Sequence, residues 1–346
     1  MFLKKFPSAA LVLAVCGAAN HAQPAAQPAP LYQITQSISL GAPEQWDYLA
    51  YDAQSRRLFA AHGSGIDVVD GAGGRLLGKI AVPGSNGIAI VEAVGKGYAG
   101  SRTNKTVVVF DLQTLKVLKE LPAGEDTDAV VYDPASRRVF VMQGDPHNIT
   151  VIDTAGDTLL TPVALDGQPE FAAADGRGKL FVNIVDKNEV QRIDTKTAKV
   201  DATWPISECQ RPHGLAIDPA HQRLFASCVN QRLLVLDSAD GKVIASLPIG
   251  KGSDAAAYDP VRKRVFSSNF DGTLSVIQQD TPTHYIALGD VPTHDMARTM
   301  AVNPETGRIY LTAAERVEAD PKAGDPRKRF TVRPGSVVVL FADPAS

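Results

Sequence analysis

A unit of about forty residues recurs seven times along this chain, and few folds can accommodate such a repeat. Each unit opens with a polar residue ahead of a short apolar run: Asp47, Asn86, Asp128, Glu170, His213, Asp254 and Arg298, spaced by 39, 42, 42, 43, 41 and 44 residues. Five positions further on stand Asp52, Asp133, Asp175, Asp218, Asp259 and Asn303, with Val91 breaking the series. Words such as Asp-Pro-Ala-Ser-Arg-Arg at 133–138 mark these positions as turns, where an Asx side chain and proline set the bend. An aromatic then enters a second apolar run: Phe59, Tyr98, Phe140, Phe181, Phe225, Phe266 and Tyr310. A third run, rich in Val and Ile, often ends in Asp, and a fourth follows a Gly- or Thr-containing turn.

Runs of four to six residues bounded by turn chemistry are strands. No segment carries a long 3.6-residue apolar period, so helices should be scarce. Four strands per unit in seven units predict an all-β fold, a seven-bladed β-propeller of four-stranded antiparallel blades. The seventh unit supplies three runs before the sequence given ends, and Leu31–Gly41 reads like the missing fourth. The N-terminal strand is therefore expected to complete the last blade and close the ring. The expected domains are a leader over 1–22, a Pro/Ala tether over 23–30 and one propeller over 31–346.

The D-P-x-x-x-R-[LV]-[FY]-V cadence and the [ITV]-x-V-I-D strands resemble the YVTN-repeat, YncE-like propellers of the bacterial cell envelope. Trp46-Asp-Tyr-Leu, Pro169-Glu-Phe, Gly214-Leu-Ala-Ile-Asp and Ala297-Arg-Thr-Met-Ala are similar to words of one subgroup. The resemblance covers essentially all of 31–346. It implies a binding protein, and part of that family binds single-stranded DNA. Fold alone does not assign function.

Charge argues against the nucleic-acid role. The chain carries 35 Lys+Arg against 38 Asp+Glu, a formal −3. Met1–Ala22 has the basic start, short apolar core and small-residue cleavage region of a secretory signal, and too few apolar residues to span a bilayer. Losing Lys4 and Lys5 with it takes the mature chain to about −5, short of the basic field that phosphates require. The mouth also reads as lacking stacking aromatics interleaved with basic residues. A periplasmic location and a monomer are expected. Cys16 follows Val15, a poor fit to a lipoprotein box, so lipid anchoring is not expected.

The site candidates follow from the repeat. The seven leading polar residues should ring one mouth of the axial channel, with second-strand ends beside them: His62, Ser101, Arg102, Gln143, Asn183, Cys228 and Asn269. The candidate ligand contacts are the seven leaders with His62, Arg102, Asn183 and Asn269. Such residues also cap strands and bind backbone or water in any propeller. Three further chemistries fit them. Asp47, Asp128, Glu170 and Asp254 could hold a hard divalent cation such as Ca²⁺. Glu170, His213 and Arg298 could serve as base, acid and oxyanion clamp of a lactonase-like hydrolase, although the surrounding motifs do not match those enzymes. Cys209 and Cys228 could join His213 on a soft metal, or form a disulfide in an oxidising compartment. The occupant of the mouth is then a small molecule or another envelope protein. The insertion at 315–334, with ten charged residues, should lie over the same mouth as a lid, a docking loop or a solvated excursion.

Overall fold

A computed structural model describes residues 1–2, 31–43, 45–318 and 330–345 of the chain. The leader beyond Phe2, the tether at 23–30, Cys16 and the centre of the 315–334 insertion lie outside the described residues.

Seven antiparallel sheets form the blades of a propeller. Blade 1 runs outward from the axis through Trp46–Asp52, Arg57–His62, Gly65–Asp70 and Leu76–Ala81. Blades 2 to 6 repeat this order, starting from the innermost strands Ser85–Val91, Thr127–Asp133, Pro169–Ala174, Pro212–Asp218 and Ser253–Asp259. In blade 3 the outer strand is broken into Thr158–Leu159 and Val163–Ala164. Blade 7 contributes Met300–Val302, Ile309–Ala313 and Val337–Pro344, and its fourth strand is Tyr32–Gly41 from the other end of the chain. Ile34 pairs with Ala342 and Ile38 with Val339, so the ring closes as the repeat predicts. Among the described residues the helical content is one 3₁₀ turn, Glu92–Val94.

The repeat residues do the work their chemistry suggests. Asp52, Asp133, Asp175, Asp218 and Asp259 each accept hydrogen bonds from backbone N–H groups two to four residues on. Asn303 accepts likewise from the Glu305 N–H. These bonds close the turns between first and second strands. The seven second-strand aromatics are at most 1% exposed and fill the wedges between neighbouring blades. Each such burial is worth roughly 1.5–3 kcal/mol.

The 315–334 insertion is not wholly irregular. Arg316–Glu318 and Phe330–Val332 pair as a short antiparallel hairpin. Arg316 Nε lies 3.0 Å from Asp295, and Arg333 Nε 2.6 Å from Glu315. The hairpin was hidden because proline and mixed charge dominate its composition, while its pairing is local.

Candidate functional site

The leading polar residue occupies the second position of six of the seven innermost strands, and Arg298 lies two residues before the seventh. In those six strands the ladder register shifts across the same place, as between Trp46 and Leu49 or between Pro169 and Ala172. Such an irregularity bends the strand and re-aims its side chains. All seven leaders line one cavity of about 680 Å³, within the range that holds small organic ligands.

The bends also turn aromatics inward. Trp46, Tyr48, Phe171 and Phe270 line the same cavity. The rings of Tyr48 and Phe171, from blades 1 and 4, meet with centroids 4.7 Å apart, so they bridge the axis. The Arg298 guanidinium lies 5.0 Å from the centre of the Trp46 ring. The expectation of a mouth without stacking aromatics beside basic residues is therefore corrected. Strict alternation would send residues 46, 47 and 48 to different faces, whereas the register shift brings all three to the cavity.

Of the second-strand ends, Arg102 reaches the cavity, where it pairs with Asp126 at 3.0 Å. The others do not line it. His62 is fully buried, its Nδ1 2.7 Å from Asp67 and its Nε2 2.8 Å from the Pro43 carbonyl. Asn183 donates to the carbonyls of His213 and Gly214, and Asn269 donates to Thr273 and Ser275. Ser101 and Gln143 are equally buried. These side chains tie strands and loops together, because the second strand lies one layer away from the axis. Cys228 is bonded to Cys209, with both sulfurs buried. That bond removes the thiolates a soft metal beside His213 would need.

The carboxyl groups in the cavity differ sharply in their affinity for protons. Burial, reinforced by Asp128, pushes Asp47 up to about 8 even though Arg298 opposes it. Burial raises Asp128 to about 6 against the pull of Arg102. Glu170 is pushed well above the usual carboxylate range by burial and then by Asp128, Asp254 and Asp47. Asp254 goes the other way. Burial would raise it, but the imidazole of His213, 3.7 Å away, and the Arg298 charge together hold it low. At neutral pH Asp47 therefore holds its proton while Asp254 is ionised, and the upward push on Glu170 acts in the same direction as that on Asp47, so the mouth is less anionic than a count of its acids suggests.

Among the described residues no group of three or more His, Cys, Asp or Glu side chains is placed to hold a metal ion. Asp47, Asp128, Glu170 and Asp254 share the cavity without forming a common ligand set for Ca²⁺. His213 Nδ1 stands 3.4 Å from Glu170, so two members of the hydrolase trio are adjacent. A protonated Glu170 would serve there as an acid, the reverse of the role expected from sequence. The sequence reasoning missed Trp46, Tyr48, Phe171 and Phe270. The two aromatic rings in Trp46-Asp-Tyr and the one following Glu170 were the available signals.

A search of protein-family models finds none that matches the chain. Proteins described as uncharacterized YncE, from Salmonella typhi and Salmonella typhimurium, are each 22% identical over 259 residues, spanning 69% of this chain and 72% of theirs. Among solved structures, a chain of hydrazine synthase from Kuenenia stuttgartiensis superposes with a TM-score of 0.67 at 17% identity, covering 83% of this chain and 94% of that one. U3-55K gives 0.73 at 11% identity, covering 89% and 98%. A chain of the mitotic checkpoint complex gives 0.74 at 12%, covering 92% and 97%. These structural likenesses carry the fold alone. With the repeat words, the closed seven-blade ring and the two Salmonella relatives taken together, the chain is a seven-bladed β-propeller protein similar to YncE.

Proposed function

We propose that this propeller is an exported binding module that takes a small molecule into the mouth of its axial channel. The observation that carries the reading is the cavity at the mouth of the channel. Seven blades each send a polar residue into it, aromatic rings wall it, and the Tyr48–Phe171 pair bridges the axis. Pockets that bind small molecules combine an apolar wall with a few fixed polar groups. The secretory reading of 1–22 and the Cys209–Cys228 disulfide support residence in an oxidising, periplasmic compartment.

Ligand-observed NMR against a mixed fragment library tests the reading, with an Asn86→Arg variant that fills the mouth as control. Saturable binding by the wild type and its loss in the variant are expected. Binding that is indifferent to the variant, or no binding at all, overturns it. A hydrolase reading is favoured by the 3.4 Å contact between Glu170 and His213. Turnover of a lactone panel that disappears in both Glu170→Gln and His213→Ala, with the fold intact by circular dichroism, would establish it in place of simple binding.

A further inference from the structure

Ten buried side-chain nitrogen or oxygen atoms among the described residues lack a hydrogen-bond partner, and four of them line the one cavity at the mouth. They are Trp46 Nε1, Asn86 Nδ2, His213 Nδ1 and Arg298 Nε. Trp46 is 7% exposed and Asn86 2%, so neither has ready access to bulk water. Three of these atoms, on the indole, the amide and the guanidinium, can only donate. An unmet buried donor costs about 1–3 kcal/mol, a cost that a ligand acceptor relieves.

The donors are also grouped. Arg298, Trp46 and Asn86 come from the adjoining blades 7, 1 and 2, and Arg298 has no carboxylate within ion-pair distance among the described residues. The Tyr48 and Phe171 rings line the same cavity, and Phe270 lines both it and an adjoining cavity of about 500 Å³.

Resting on the binding reading above, we infer that the occupant is a small organic carboxylate with a planar apolar body, its oxygens on Arg298, Trp46 and Asn86 and its plane against the aromatic wall. A guanidinium presents its N–H groups in the geometry a carboxylate accepts. Two features of the cavity exclude other occupants. A cation would leave every orphaned donor unmet. A doubly charged phosphate would face the ionised Asp254, held low by His213 and Arg298 against its burial, across the same small space.

The test uses three probes of one shape, benzoate, benzamide and benzylamine, titrated by calorimetry into the full mature chain and into an Arg298→Gln variant. Benzoate is expected to bind about tenfold or more tightly than benzamide, about 1.4 kcal/mol by the usual conversion. In the variant the ratio of benzoate to benzamide affinity should fall to about one, with a wild-type circular dichroism spectrum showing that the variant folds. Preference for benzylamine, or a benzoate preference that survives in the variant, overturns the inference and leaves the binding reading intact. Failure of benzoate to bind at all also overturns it. The fragment library and the Asn86→Arg control then show whether the binding reading falls as well.

Discussion

Asp47 keeps its proton up to about pH 8 because burial and the neighbouring Asp128 carboxyl outweigh the attraction of Arg298, with Asp254 and Arg102 adding smaller opposed effects. In the unfolded chain the same group ionises near 3.8. The folded protein therefore binds this proton more tightly, and stability is lost as pH rises from about 4 through about 8. Asp47→Asn removes that loss. Its melting temperature should exceed the wild type's by about 2 °C or more at alkaline pH, with the gap closing towards pH 4. Thermal melts across pH check this, and a gap that widens in acid would contradict it. Ionising Asp47 also adds negative charge beside Arg298, so benzoate affinity should fall above about pH 8 in the wild type and stay level in Asp47→Asn.

The innermost strands approach one another closely just past the polar leader. At Gly214 a methyl group would stand 2.2 Å from the Ala256 backbone nitrogen, and at Gly87 2.2 Å from the Asp128 carbonyl. Neither neighbour is a flexible side chain. Gly214→Ala should destabilise the fold by about 1–3 kcal/mol, read from chemical denaturation, and unchanged stability would show that adjoining strands can slide apart. The strands themselves were legible in the sequence. The repeat words carry the period, the turn acids fix its phase, and the second-strand aromatics place the core. The ring of leaders was equally legible, since a polar residue recurs at one position of each unit. What the sequence could not show is the register shift beside each leader, because it arises from how the first strand meets the second. For that reason the repeat does not mark Tyr48 and Phe171 as cavity walls, and His62, Asn183 and Asn269, which it places beside the mouth, instead bind backbone and side chains one layer out. The state of the acids was hidden too, since Asp47 and Asp254 differ through neighbours that only the ring brings together.

The molecule holds together as a circle, and its joint is the pairing of Tyr32–Gly41 with Val337–Pro344. Tyr32 is 1% exposed and sets its ring edge-on to Phe266 of blade 6, so the terminal strand binds a neighbouring blade as well as its own. Deleting residues through Gly41 should lower the melting temperature and bare the backbone edge of Val337–Pro344. Aggregation seen by light scattering, with a broadened melt, is the expected result, and a wild-type melt would show that the joint is dispensable. A ribosome delivers the chain in order, and Thr35 reaches across 306 positions to the Phe341 carbonyl. The first strand of the ring to be synthesised must therefore wait for the ring's last, so the order of assembly cannot follow the order of synthesis, and no nascent fragment can be sealed until Val337–Pro344 has been made.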